Sequence, residues 1–404
     1  MNGAWNPPGY RNVHQHILEM SAEGQLRVKE FMSDLLLDGI KPSIAGDIWS
    51  DRGCSLMGVL GYGIDRSWTM REWLLAATPF GATRHTGDAI DTITVDALKL
   101  VVPTWTTQEA VYTGVHGKVS DNASNMAKGW SAFAGGFCVD HTLELSVHKY
   151  TQHEGIAPTF SRMRGIVGYF HKSTNGIQDL QGIQKRLSLP QQRPVQDVIT
   201  RWRSAYDMVN WFREQQTSIM TFDVERAQAV VTAGGELGNL YGDNRLQMDD
   251  WTIGEQSVAV LATSATITTK LEGTKYPTLS SVLPCIHRLL AELEDKRSVF
   301  MPWKPQGPTQ FVKAGALKPT VREARAAFRS DLEQRFLTNL PLVRKETLVI
   351  CTLLDPRFKT FTFLGATDAD KVWANQILKA TFEDKWSALP LAPVPPTAAA
   401  AAAD

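Results

Sequence analysis

The spacing of apolar residues changes along the chain, and each change marks a different kind of element. Up to Lys41-Pro42, the residues Ile17, Met20, Leu26, Phe31, Leu35 and Leu36 recur at roughly helical intervals, and the proline marks the stop. From Ser43 the texture shortens. Ile44–Asp51, Leu56–Asp65 and Trp68–Ala77 are brief apolar runs divided by Asp-Arg-Gly and Asp-Arg-Ser turns, which predicts three consecutive antiparallel strands. Ile90, Ile93, Val95, Leu98 and Val101 then predict a helix over Thr86–Val101, and the alternation of Val111–Val119 predicts a strand that ends at Ser120-Asp121-Asn122. A helix over Asn122–Phe133, a short strand at Phe137–Asp140 and a helix opening at Thr142–Lys149 complete this part.

The resulting order, βββαβαβα, is the ribonuclease-H-like order, in which the first and fourth strands are neighbours at the centre of a mixed sheet. Beyond Gly155 the strand signals fade. Phe160, Met163, Ile166, Val167 and Phe170 mark an amphipathic helix, and the rest reads as helical apart from proline-rich breaks at Leu187–Val195 and Met301–Thr320. The expected organisation is α/β: a helical segment over 1–43, a ribonuclease-H-like core over 44–154, a large all-helical insertion domain over 155–388, and a Pro/Ala tail over 389–404 that is left unstructured.

Composition narrows the class. Apolar residues make up 43% and charged residues 21% of the 404, and no apolar run approaches the roughly 20 residues needed to span a bilayer. The N-terminal residues lack the apolar stretch of a secretory signal, and Cys54, Cys138, Cys285 and Cys351 form no CxxC pair, so a reducing compartment is expected. Lys plus Arg equal Asp plus Glu at 42 each, so any attraction to nucleic acid must be local. Pro158–Arg213 carries nine Lys/Arg against three Asp, whereas Glu214–Val299 carries twelve acids against seven bases.

Aspartates delivered to neighbouring strand ends suit phosphoryl transfer, because two Mg²⁺ ions about 4 Å apart have to be held to activate one oxygen and stabilise the other. Asp47 lies in the first predicted strand and Asp121 at the tip of the fourth. Taken singly, each is more readily a turn or cap residue.

Seven strings then occur in order over about 310 residues: Gly46-Asp47-Ile48-Trp49-Ser50, His85-Thr86-Gly87, Ser120-Asp121-Asn122-Ala123-Ser124-Asn125-Met126, Cys138-Val139-Asp140-His141-Thr142-Leu143, Tyr169-Phe170-His171-Lys172-Ser173, Thr200-Arg201-Trp202-Arg203-Ser204 and Leu354-Asp355-Pro356-Arg357-Phe358-Lys359. Together they resemble the successive motifs of hAT-superfamily DNA transposases. The resemblance implies that Asp47 and Asp121 are the first two acids of a DDE triad and ligate Mg²⁺ or Mn²⁺. It also implies that Trp49, Asn122, Cys138 and His141 support the site, and that Trp202 stacks on a base flipped out of DNA. Such stacking is worth roughly 1–3 kcal/mol.

Other readings stay open for several of these residues. Cys138 and His141 lack a second ligand pair spaced for zinc, so a packed, hydrogen-bonded pair is expected and no zinc. Trp202 also fits a core position, and Arg201, Arg203 and Lys172 fit either phosphate contacts or a solvated basic face. His85 reads as a turn partner and Asp355 as a loop cap. The family's third acid, a glutamate in a Ser-Glu-Arg-like string, has no match after Lys359, where Glu383 is a substitute by position only. The BED-type finger has no match either, and the dimerisation segment that follows the third acid is expected to be missing, which weakens any homo-oligomer. Two functions follow: a transposase core fragment, ancestrally a Mg-dependent DNA-cleaving and strand-transfer enzyme, or a domesticated non-enzymatic nuclear module that binds DNA or protein. A ribonuclease on the same fold would need four carboxylates; Asp51 and Asp140 are near the right strands but fit no ribonuclease motif.

Overall fold

The computed structural model describes residues 9–386 apart from 52, 82, 199–200, 234–240, 274, 295–298 and 301–310. The Pro/Ala tail at 389–404 and Thr200 of the Arg-Trp string lie outside the described residues.

Helix α1 (Tyr10–Leu37) matches the first predicted segment, but the expected apolar face is only partly used. Val28, Met32 and Leu35 are buried, whereas Ile17, Met20 and Leu26 are exposed. Strands β1 (Ser43–Asp51), β2 (Cys54–Ile64) and β3 (Met70–Pro79) form the expected antiparallel meander. Helix α2 (Gly87–Val101) begins where Thr86 accepts the Ala89 amide at 3.3 Å, an N-cap worth about 1 kcal/mol.

The next segment departs from expectation. Instead of one strand over Val111–Val119, Thr107 caps a helix, α3 (Gln108–Gly114), by accepting the Ala110 amide at 3.1 Å, and only Gly117–Ser120 is strand, β4. Val111 and Val115 lie four residues apart, a spacing that a helix turns to one face and that alternation also produces. Helix α4 (Ser124–Gly129), strand β5 (Gly135–Phe137) and helix α5 (Val139–Thr151) follow.

The five strands form one mixed sheet in the order β3-β2-β1-β4-β5. β1 runs antiparallel to β2 and parallel to β4, and β4 runs parallel to β5. The core on its helix-covered side joins Ile44, Met57 and Val59 to Ile90, Leu98, Met126 and Trp130. Gly46 is required here: a Cβ on it would lie 2.4 Å from the Trp130 ring. That ring is fully buried, and its indole N–H donates to Thr94 Oγ1 at 2.8 Å, so its polar edge is satisfied.

The helical part comprises α6 (Ala157–Lys172), α7 (Thr174–Arg186), α8 (Trp202–Glu214), α9 (Gln216–Thr232), α10 (Met248–Leu271), α11 (Val282–Glu292), α12 (Pro319–Glu333), α13 (Leu342–Leu354) and α14 (Asp368–Trp386). It has its own core. Leu143, Val147 and Tyr150 of α5 belong to that core, so the expected boundary at 154/155 does not coincide with the change of core. Helix α10 is buried on nearly all sides, as befits a central helix. Its start is fixed by Asp250, which accepts from the Gln247 amide (2.8 Å), Thr159 (2.6 Å) and Arg162 (2.7 Å). The part is not all helical: β6 (Val299–Phe300) and β7 (Phe311–Val312) form a two-stranded ribbon, and Gln334–Thr338 is a π-helical turn. Among the described residues no helix is long and apolar enough to cross a membrane.

Folding also offsets part of the charge segregation of the sequence. Arg162, Arg186 and Arg213 of the basic stretch pair with Asp250, Glu225 and Glu214 of the acidic one, while Arg164 and Arg203 pair with Asp197 and Asp207.

Candidate functional site

The parallel ladder between β1 and β4 ends at Gly46 and Ser120. The next residue after each is an aspartate, Asp47 still within β1 and Asp121 just past the end of β4, so the register sets their backbones on neighbouring segments about 4.8 Å apart. Asp47 is exposed and its Oδ1 accepts its neighbour Ile48's amide at 2.8 Å; Asp121 is half-buried and accepts the Ala123 amide at 3.2 Å. Trp49, two residues on from Asp47 and hence on the same face of β1, is exposed.

Three of the motif strings brace this sheet end. Asn125 donates to the His85 carbonyl at 3.1 Å, which ties the segment after Asp121 to the turn before α2, and the His85 ring packs on Phe80 at 4.3 Å. Asn122 donates to Thr142 Oγ1 at 2.9 Å. The Cys138 amide donates to the Ser120 carbonyl at 2.8 Å, and its Sγ caps α5 by accepting the His141 amide at 3.4 Å. Burial pushes the Cys138 thiol up, and the nearby Asp140 and Asp121 carboxylates add to it.

From there the contacts run into the helical core. His141 Nδ1 lies 3.5 Å from Glu144, whose other oxygen accepts the Trp202 amide at 3.3 Å. The Trp202 side chain is only 4% exposed and packs in that core, so in this arrangement it offers no open platform for a base. Arg203 spends its guanidinium on Asp207 (3.1 Å), the Ala265 carbonyl (2.9 Å) and Thr269 (2.8 Å), whereas Arg201 and Lys172 are exposed. Asp355 caps its loop, accepting from Ser280 and from the Arg357 amide and guanidinium, and these bonds hold its carboxyl far below the usual range.

Neither the spacing nor the motifs point to the state of Asp140. Its Oδ1 is buried without a hydrogen-bond partner among the described residues, and burial, reinforced by Glu272, pushes its pKa up to about 7. Two register-adjacent carboxylates suit one shared divalent cation, but a pair of ions needs more donors. Among the described residues no group of three or more His, Cys, Asp or Glu side chains is assembled to hold a metal, and Glu383 lies on α14 beside Lys379. The full two-ion donor set is therefore not met by these residues.

Comparison with known proteins points to the same lineage. Residues 136–233 match the family model described as the ZBED1 RNase-like helical domain. The chain is 22% identical over 388 residues to the protein named "Putative transcriptional regulator tpeD" of Talaromyces stipitatus, covering 81% of this chain and 42% of that protein. It is 24% identical to human zinc finger BED domain-containing protein 4 (64% of this chain, 19% of that protein) and 28% identical to human zinc finger BED domain-containing protein 6 (60% and 22%). The chain thus spans less than half the length of these curated relatives. Together these matches support a hAT-like, BED-type transposase-derived protein.

Proposed function

We propose that this transposase-derived chain is a ribonuclease-H-like core with a helical insertion that binds DNA in the nucleus without cutting it. The observation that carries the reading is the Asp47–Asp121 pair just past the end of the β1–β4 ladder, joined by no third acid among the described residues. The sheet order β3-β2-β1-β4-β5, antiparallel on one side of β1 and parallel on the other, supports the fold assignment. A regulatory role is in keeping with the name of the fungal relative.

Asp47 and Asp121 would hold one Mg²⁺ or Mn²⁺ ion, and a bound ion supplies charge neutralisation at a phosphate oxygen. Losing one carboxylate from a two-ion site commonly removes orders of magnitude of rate, whereas the electrostatic part of DNA binding is unaffected. The retained acid pair favours one second reading, Mg-dependent cleavage and strand transfer with a further carboxylate brought to the pair. Supercoiled plasmid incubated with the chain and Mn²⁺ separates the two: intact plasmid that is nonetheless bound supports the first, and nicking that Asp47→Asn abolishes supports the second.

A further inference from the structure

A cleft of about 350 Å³ opens where the sheet meets the helical core, one residue beyond Asp121. Asn122 and Thr142 line it from the sheet side, Gln334 and Arg335 from the π-helical turn, and Arg344 from the first turn of α13. The volume is within the range of small-ligand sites, and π turns recur where a helix has been adjusted for a ligand.

The charges in the cleft are unequal. Arg335 is neutralised by Asp331, which also lines the cleft, at 2.6 Å. Arg344 has no carboxylate or carbonyl partner among the described residues; its guanidinium lies over the Phe137 ring, 5.1 Å from the centroid. Lys118 of β4 is half-buried close by, and burial together with the Arg344 charge pushes its pKa down. A guanidinium stacked on a ring keeps its N–H edges for an acceptor, and a cation without a carboxylate partner on the wall of a cleft favours an anion there.

We propose that this cleft is a phosphate site in which Arg344 receives a backbone phosphate of DNA lying across the sheet beside Asp121. This rests on the DNA-binding reading above, and a free phosphate compound would present the same chemistry. Stacking on Phe137 pre-orients the guanidinium, so little rotamer freedom is left to lose when the anion arrives.

The test is binding of a labelled random-sequence duplex across a salt series, with wild type, Arg344→Ala and Arg344→Lys confirmed as folded by circular dichroism. The expected result is an affinity loss of about tenfold for R344A, with the slope of log K against log salt smaller by about one phosphate, and partial recovery in R344K. Wild-type Kd and slope in R344A would overturn the site. If the wild type binds no duplex, the DNA reading fails and inorganic pyrophosphate decides the site alone: a rise in Tm that R344A loses keeps the anion site, and no rise removes it.

Discussion

Asp47 stands beside Asp121 one position past Gly46 and Ser120, the last paired residues of the β1–β4 ladder. Two strand segments about 74 residues apart in sequence thus bring carboxylates side by side because a parallel pairing fixes their register, not because of any local loop.

That pairing predicts one weak divalent-cation site. Calorimetry with Mn²⁺ should show binding at a single site, lost in the Asp47→Asn/Asp121→Asn variant. Binding unchanged in the variant would place the ion elsewhere.

The Gly46–Trp130 contact predicts an asymmetric cost. A methyl group at residue 46 would lie 2.4 Å from the indole, so Gly46→Ala should destabilise by about 1–3 kcal/mol, and Trp130→Ala by about 3–5 kcal/mol. In urea melts the double variant should lose less than the sum, since removing the ring relieves the clash. Strict additivity would contradict the packing described.

Asp140 predicts a pH dependence. Its carboxyl is raised from an unfolded value of 3.8 to about 7 by burial, so the folded state favours the protonated acid. Its contribution to stability is complete below about pH 4 and is lost as pH rises through about 7. Asp140→Asn should flatten the decline in unfolding free energy over that window; an unchanged profile would show that Asp140 is not the group responsible.

Trp202 and Arg201 predict opposite phenotypes from adjacent positions. Trp202→Ala, which empties a core site, should cost about 3–5 kcal/mol in stability, whereas Arg201→Ala should leave stability within about 0.5 kcal/mol and reduce the salt slope of DNA binding. A Trp202→Ala protein of wild-type stability would mean that the ring is not part of the core.

Much of the sheet was legible in the sequence. The Asp-Arg-Gly and Asp-Arg-Ser turns divide the meander at the right places, Thr86 announces α2, and the acid of the Ser120-Asp121-Asn122 string does end a strand. Helix α3 was hidden because Val111 and Val115 satisfy both periods, and the decisive signal, Thr107 with Glu109 in the first turn, is a cap rather than a pattern. The basic stretch misled for a different reason: sequence counts charge along the chain, whereas Arg162 and Arg186 meet their acids about 88 and 39 residues away. The Arg344 cleft carries no local signal at all, since Asn122, Thr142, Arg335 and Arg344 converge only through the packing of α12 and α13 beside β4 and β5.

Duplex binding and plasmid nicking measured in the same Mn²⁺-containing samples test the central claim most directly. The expected result is salt-sensitive binding with the plasmid intact in both wild type and D47N/D121N. Mn²⁺-dependent nicking by the wild type that the double variant loses would contradict it and make Asp47 and Asp121 a working catalytic pair.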